Sequence, residues 1–247
     1  MTSVQHLNRA PIREAIIDIR IAPSVNIEVI RKVADALEKD FSRVEEMRRT
    51  AFGFSSIKGE VKASANDEGL VGFRLIADGS AYVLGMAVDR FTFSKLPPYE
   101  DWETMRDKAR SYWVSYLDNI GPSTVVSCST RFINAMEFPL PVSDLGQYLS
   151  SPPQIPAELP QEISSFFYRT ILNEREIGAG ATLTLALEEI INNKAPIIFD
   201  INVFKKMDIE AISPVVWDTL ENLRTFKNKV FFSSITQKAA EMFECQP

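Results

Sequence analysis

Glu60-Val61-Lys62 sets a carboxylate and an amine two residues apart on a stretch that alternates like a strand. Many nucleases use this E-x-K spacing to hold a metal ion and activate water. The chemistry needs a further carboxylate on a neighbouring strand, and the upstream candidate, Asp40, falls at the end of a predicted helix. A solvated ion pair across strands is the simpler role. His6 is the only histidine, so neither a histidine-based metal cluster nor a Ser-His-Asp triad can be assembled. Gly53 to Gly59, GFSSIKG, has the wrong order for a phosphate loop. Gly178-Ala179-Gly180 lies between two strand-like runs, as a hairpin turn would, rather than before a helix whose N–H groups could cradle phosphate. Cys128 and Cys245 fit neither a disulfide framework nor a metal clip and read as ordinary thiols. No metal and no cofactor is expected, and no catalytic residue stands out.

Carboxylates beside guanidiniums form the more promising pattern. In AIIDIRIA, Ala15 to Ala22, the isoleucines Ile17, Ile19 and Ile21 share one face and Asp18 and Arg20 the other. Arg131 occupies the less apolar face of TRFINAMEFP, and Arg74, Arg169, Thr182, Thr184, Glu188, Asp200 and Asn202 take similar positions in other runs. Arg131, Arg20, Asp18, Arg74, Arg169, Asp200 and Asn202 are therefore expected to line a polar sheet face that binds a ligand or a protein segment. The competing role is mutual pairing across strands, at about 0.2–1 kcal/mol per pair. Asn134 shares parity with Val126, Cys128, Phe132, Met136 and Phe138 and is expected to face the helices. A buried amide without partners costs about 1–3 kcal/mol, so its expected task is structural, tying a helix end or loop to the sheet.

The positioning elements follow from periodicity. Asn26 caps a predicted helix carrying Ile27, Ile30, Ala34, Leu37 and Phe41, with Arg43, Arg48 and Arg49 as its solvated end. Thr50 to Leu96 reads as three or four antiparallel strands, turned at Asn66-Asp67-Glu68-Gly69 and at Asp78-Gly79. Tyr99 to Ile120 is a predicted helix whose stripe of Trp102, Met105, Ala109, Trp113 and Tyr116 seats it on the sheet. Val125 to Phe138 begins the sequence again: Ser143 caps a short helix to Leu149, the Pro-rich SPPQIPAELP follows, and strands are predicted over 165–177, 181–191 and 196–207. A helix from Ser213-Pro214 carries Val216, Leu220 and Leu223, and Ser234 with Gln237 begins a final one.

Residues 1–122 and 123–247 thus read as two β-α-β(3-4)-α halves, continuous as one domain. Superposing Ile21 on Phe138 also superposes Asn26 on Ser143, which suggests an internal duplication. The expected fold is α+β, a curved antiparallel sheet with helices on one face, in an element order like that of the TATA-binding protein. Fold likeness of this kind carries no DNA-binding function.

APIREAIIDIRI at the start, DRFTFSKLPPYEDWE in the middle, TRFIN, and the closing LRTFKNKVFFSSIT occur together in one order. In that combination the chain resembles a sporadically distributed bacterial family with an R-[YF]-I-N strand signature. Arg131, Phe132, Ile133 and Asn134 fill that signature, with Phe132 where Tyr also occurs. The family has no established activity, so the resemblance implies fold and pattern without catalytic residues. Its patchy distribution suggests mobile or defence genes, and hence an antitoxin- or immunity-like protein with a protein partner, such as the product of an adjacent gene.

The net charge of −6 disfavours nucleic acid, and no apolar run reaches the roughly 18–20 residues that span a bilayer. Met1 to Arg13 is too polar for a signal peptide, so a cytoplasmic location without membrane contact is expected. The expectation is a non-enzymatic binding or regulatory protein. Its alternatives are a small-ligand or nucleotide sensor using a cleft between the halves, and a hydrolase built on Glu188 and Asp200.

Overall fold

The computed structural model describes residues 6–57, 60–79, 82–139, 144–161, 163–188 and 194–246. The chain runs β1 (His6–Leu7), β2 (Ile12–Ala22), α1 (Ile27–Leu37), β3 (Arg43–Ile57), β4 (Glu60–Ala77), β5 (Tyr82–Ala87), β6 (Arg90–Lys95) and α2 (Trp102–Ile120). It continues with β7 (Thr124–Pro139), β8 (Phe167–Glu174), β9 (Ala179–Leu187), β10 (Lys194–Glu210), α3 (Val215–Ser234), α4 (Gln237–Met242) and β11 (Cys245–Gln246). Among the described residues the protein is mixed α+β, with four helices and one open sheet of nine antiparallel strands, ordered β3-β4-β5-β6-β2-β7-β10-β9-β8. β1 and β11 form a separate antiparallel pair, so the backbone at His6 is held opposite Gln246.

Alternation decides which face is covered. Ile17 and Ile19 of β2, Phe91 and Phe93 of β6, Phe132 and Phe138 of β7 and Phe199 of β10 are fully buried together with Trp113 and Tyr116 of α2. Burying each such side chain contributes about 1.5–3 kcal/mol. The polar tips are satisfied: Trp113 Nε1 donates to Ala211 O at 3.3 Å and Tyr116 Oη to Ala87 O at 3.0 Å. The aromatic stripe of α2 is core, as its helical spacing predicts. On α3, the predicted stripe of Val216, Leu220 and Leu223 is also buried.

Several local expectations need correction. Asn66 to Gly69 does not reverse the chain: β3 and β4 pair straight through it, with register shifts at Met47/Arg48 and Arg49/Thr50. Gly69, at φ 90°, accommodates the irregularity, and Asp67 fixes it by accepting from Gly69 N at 2.8 Å and from Arg48 Nη2 at 2.7 Å. Arg43, Arg48 and Arg49 consequently belong to the edge strand β3, not to a helix end. The helix expected to start at Ser143 is reduced to a 3₁₀ turn over Leu145–Gln147 capped by Asp144; Ser143 lies outside the described residues. The last helix is capped by Thr236, which accepts from Ala239 N, rather than by Ser234. β7 carries a register shift opposite Arg20/Ile21, so Val125 rather than Val126 enters the core.

Candidate functional site

All seven residues expected on the polar face share it. Partners directly opposite in a ladder point to the same side, and one lateral row runs Glu45, Arg74, Gly85, Thr92, Asp18, Ser129. A second runs Ile16, Arg131, Asn202, Thr182, and a third Ile133, Asp200, Thr184, Arg169. The sheet nevertheless does not bring the seven together. β4, which holds Arg74, and β8, which holds Arg169, are seven strands apart in the sheet order, about 34 Å at ~4.8 Å per strand.

What forms instead is a set of separate pairs. Arg131 grips Asp200 with two hydrogen bonds, Nε to Oδ1 at 2.9 Å and Nη2 to Oδ2 at 2.6 Å. Asn202 stands directly opposite Arg131, and its buried Oδ1 has no hydrogen-bond partner. Asp18 contacts Arg90 Nε at 2.7 Å, a residue the sequence reading did not single out. Burial holds the Asp18 carboxyl above the usual carboxylate range, outweighing the attraction of Arg90 and Arg20. The signal for Arg90 was present in RFTFSK, where Arg90 and Thr92 alternate with Phe91 and Phe93. Arg74 lies 4.0 Å from Glu45, and Arg169 makes no ion pair with a described residue. Because the Arg131 pair is partly solvated, Arg131→Ala is expected to lower the melting temperature by no more than about 3 °C in differential scanning fluorimetry.

The remaining chemical candidates are quiet. Cys128 is buried, and burial pushes its thiol up to about 12, which removes it as a nucleophile near neutral pH. Among the described residues no group of three or more His, Cys, Asp or Glu side chains could hold a metal ion. The side chains of Glu60, Lys62, His6 and Cys245 lie outside the described residues.

A cavity of about 160 Å³ opens on the other, helix-covered side of the sheet. Phe132 and Asn134 of β7 form part of its floor, residues 7, 8 and 10–12 and residues 99–103 line it from the first half, and α3 closes it with Arg224, Lys227, Asn228, Phe231 and Phe232. Asn134 does face this side, but it ties no helix end or loop. Its Nδ2 donates to Phe199 O at 2.9 Å and Phe132 O at 3.3 Å, locking β7 to its neighbour β10, and no described group donates to its Oδ1.

Lys227 is the residue the sequence reading missed. It is 9% exposed, and its Nζ sits 3.7 Å from the Phe132 ring centroid. No described residue forms a hydrogen bond or ion pair with it. Burial, aided by the charge of Arg224, lowers the amine to about 7. Every carboxylate around the cavity is engaged elsewhere: Glu103 lies 3.9 Å from Arg224, Glu100 3.4 Å from Lys95, and Asp101 caps α2 by accepting from Thr104 N. The signal lay in helical spacing, since Lys227 continues the stripe of Val216, Leu220 and Leu223 at three-and-four intervals.

No family model, curated protein or solved structure matches this chain. The functional reading therefore rests on the chain's own geometry. Among the described residues no helix is long and apolar enough to cross a membrane.

The sheet has two further edges of different character. β3 presents Arg43, Glu45, Glu46, Arg48 and Arg49, charges of the kind that discourage edge-to-edge pairing. β8 presents Phe167 at 72% exposure, Tyr168 at 54%, Ile171 at 59% and Leu172 at 41%. Beside it, Leu172, Leu183, Phe226 and Val230 line a groove of about 400 Å³.

Proposed function

We propose that the protein is a non-enzymatic, cytoplasmic binding or regulatory module that receives an extended segment of a protein partner along β8. The observation that carries this reading is the edge strand with large apolar side chains exposed on both faces. Its free N–H and C=O groups supply affinity, and the pockets for alternate side chains supply selectivity. An uncovered apolar edge is a pairing hazard that solvent-facing strands blunt with charge, as β3 does. The antitoxin- or immunity-like role, with the adjacent gene's product as partner, is the setting that fits such a module. The duplicated, TATA-binding-protein-like order belongs to the same reading: β2 and β7 meet centrally, and each half extends outward from them, as β6-β5-β4-β3 and as β10-β9-β8.

Co-expression with the adjacent gene tests it. The partner should co-purify with the wild type and bind at least tenfold more weakly to Ile171→Lys, whose exposed position leaves the melting temperature unchanged. Equal binding by the variant would sink the edge-strand reading.

A second reading, a small-ligand sensor using a cleft between the halves, is favoured by the Lys227 cavity, which draws its walls from both. The hydrolase alternative has less support. Glu188 lies 3.6 Å from Arg13, Asp200 is held by Arg131, and the carboxylates sit four residues apart along the strands, about 13 Å.

A further inference from the structure

We propose that the Lys227 cavity binds a small carboxylate with a short apolar body, the carboxylate on the Lys227 amine and the body against the aromatic wall. The proposal rests on the small-ligand reading and assigns it a ligand class. A lysine that is only 9% exposed and has no hydrogen-bond or ion-pair partner among the described residues is costly, and native interiors either pair such groups or remove them. The groups that line the cavity around it are Arg224 on its own helix and Tyr99, Glu100, Asp101 and Glu103 before and within the first turn of α2. Phe132 and Asn134 come from β7 and Asn8 from the N-terminal segment, all uncharged. Each of the acids and Arg224 has a hydrogen-bond or ion-pair partner, so among the described residues lining the cavity Lys227 is the one charged group without either, and a single anionic group supplies it.

Size and wall chemistry narrow the choice. About 160 Å³ is close to the ~150 Å³ of an engineered cavity that takes benzene. Trp102, Phe132, Phe231 and Phe232 give the cavity an aromatic wall, while the amides Asn134 and Asn228 supply neutral polar contacts. A phosphate dianion would ask for more positive charge than one unpaired amine. The apolar wall also favours an acid with a hydrocarbon body over a bare anion.

The protein is titrated at pH 6.5 with butyrate, benzoate, inorganic phosphate and AMP, following melting temperature and binding heat. Butyrate or benzoate is expected to stabilise saturably, and the affinity should fall at least tenfold in Lys227→Met. It should also fall at least tenfold between pH 6.5 and 8.5, because above about 7 binding must bring a proton to the amine. Undiminished carboxylate binding by Lys227→Met overturns the proposal. A response to phosphate or AMP alone overturns the carboxylate assignment while leaving a small-ligand site. No response to any of the four overturns both the proposal and the sensor reading beneath it.

Discussion

Lys227→Met is expected to raise the melting temperature by roughly 10 °C at pH 6 and to gain progressively less as the pH rises. The amine releases its proton at about 7 in the fold and near its ordinary value of 10.5 in the unfolded chain. Between those values the unfolded state binds more protons, so wild-type stability increases with pH across this window. The cost of the charge is fully present below about pH 7 and disappears near pH 10.5. That interval corresponds to about 5 kcal/mol at most, falling to about 2 kcal/mol at pH 9. Methionine keeps the length and the contact with Phe132 but gives up the cation–π attraction, which puts the expected gain at about 3–5 kcal/mol at pH 6. For a chain of 247 residues each kcal/mol shifts the midpoint by about 2–4 °C. Thermal melts of both proteins between pH 6 and 10 provide the check. A gain that does not shrink with pH would mean that packing, not charge, limits the wild type.

Asn134→Leu is expected to do the opposite, lowering the midpoint by about 5–10 °C at any pH from 6 to 9. Leucine matches the shape but donates nothing, so the Phe199 and Phe132 carbonyls lose the bonds at 2.9 and 3.3 Å. Asn134 is 3% exposed and lines the cavity. Two weakened buried acceptors cost about 2–4 kcal/mol together. Melting temperatures equal to wild type would show that Asn134 is dispensable to the fold and leave it a role only in the cavity. The double variant Lys227→Met/Asn134→Leu adds a test of coupling, since both side chains line one cavity and their effects should depart from additivity.

Strand β7 carries two different kinds of chemistry. Arg131 is committed to Asp200 on the open face, whereas Phe132 and Asn134 form the floor under Lys227. The sequence reading placed function on the Arg and structure on the Asn. In the proposed ligand site the helix-facing residues take part in binding as well.

Alternation was enough to assign most faces, failing where a register shift swaps Val126 for Val125. Ile17 and Ile19, Phe132 and Phe138, and the α2 stripe of Trp102, Trp113 and Tyr116 all went where a period of two or 3.6 sends them, because burial of large apolar groups dominates the local energy. The same rule put Asp18, Arg20, Arg74, Arg131, Arg169, Asp200 and Asn202 on one face. Their dispersal was not legible, since strand order is a long-range property: β2 and β7 are adjacent although the whole of α1 to α2 lies between them in the chain. Turn chemistry misled at Asn66 to Gly69, where a glycine suited to reversal instead absorbs a shift of register.

By itself, then, the amino-acid sequence determined most of the element types and most of the inward and outward faces, and left a single histidine for chemistry. Only the tertiary structure decided which guanidinium meets which carboxylate, that β8 stands uncovered at an edge, and that Lys227 enters a cavity without a counter-charge. The physical reason is the range of the forces: periodicity and capping act within a few residues, whereas desolvation and charge pairing depend on neighbours that the chain brings together from a hundred residues away.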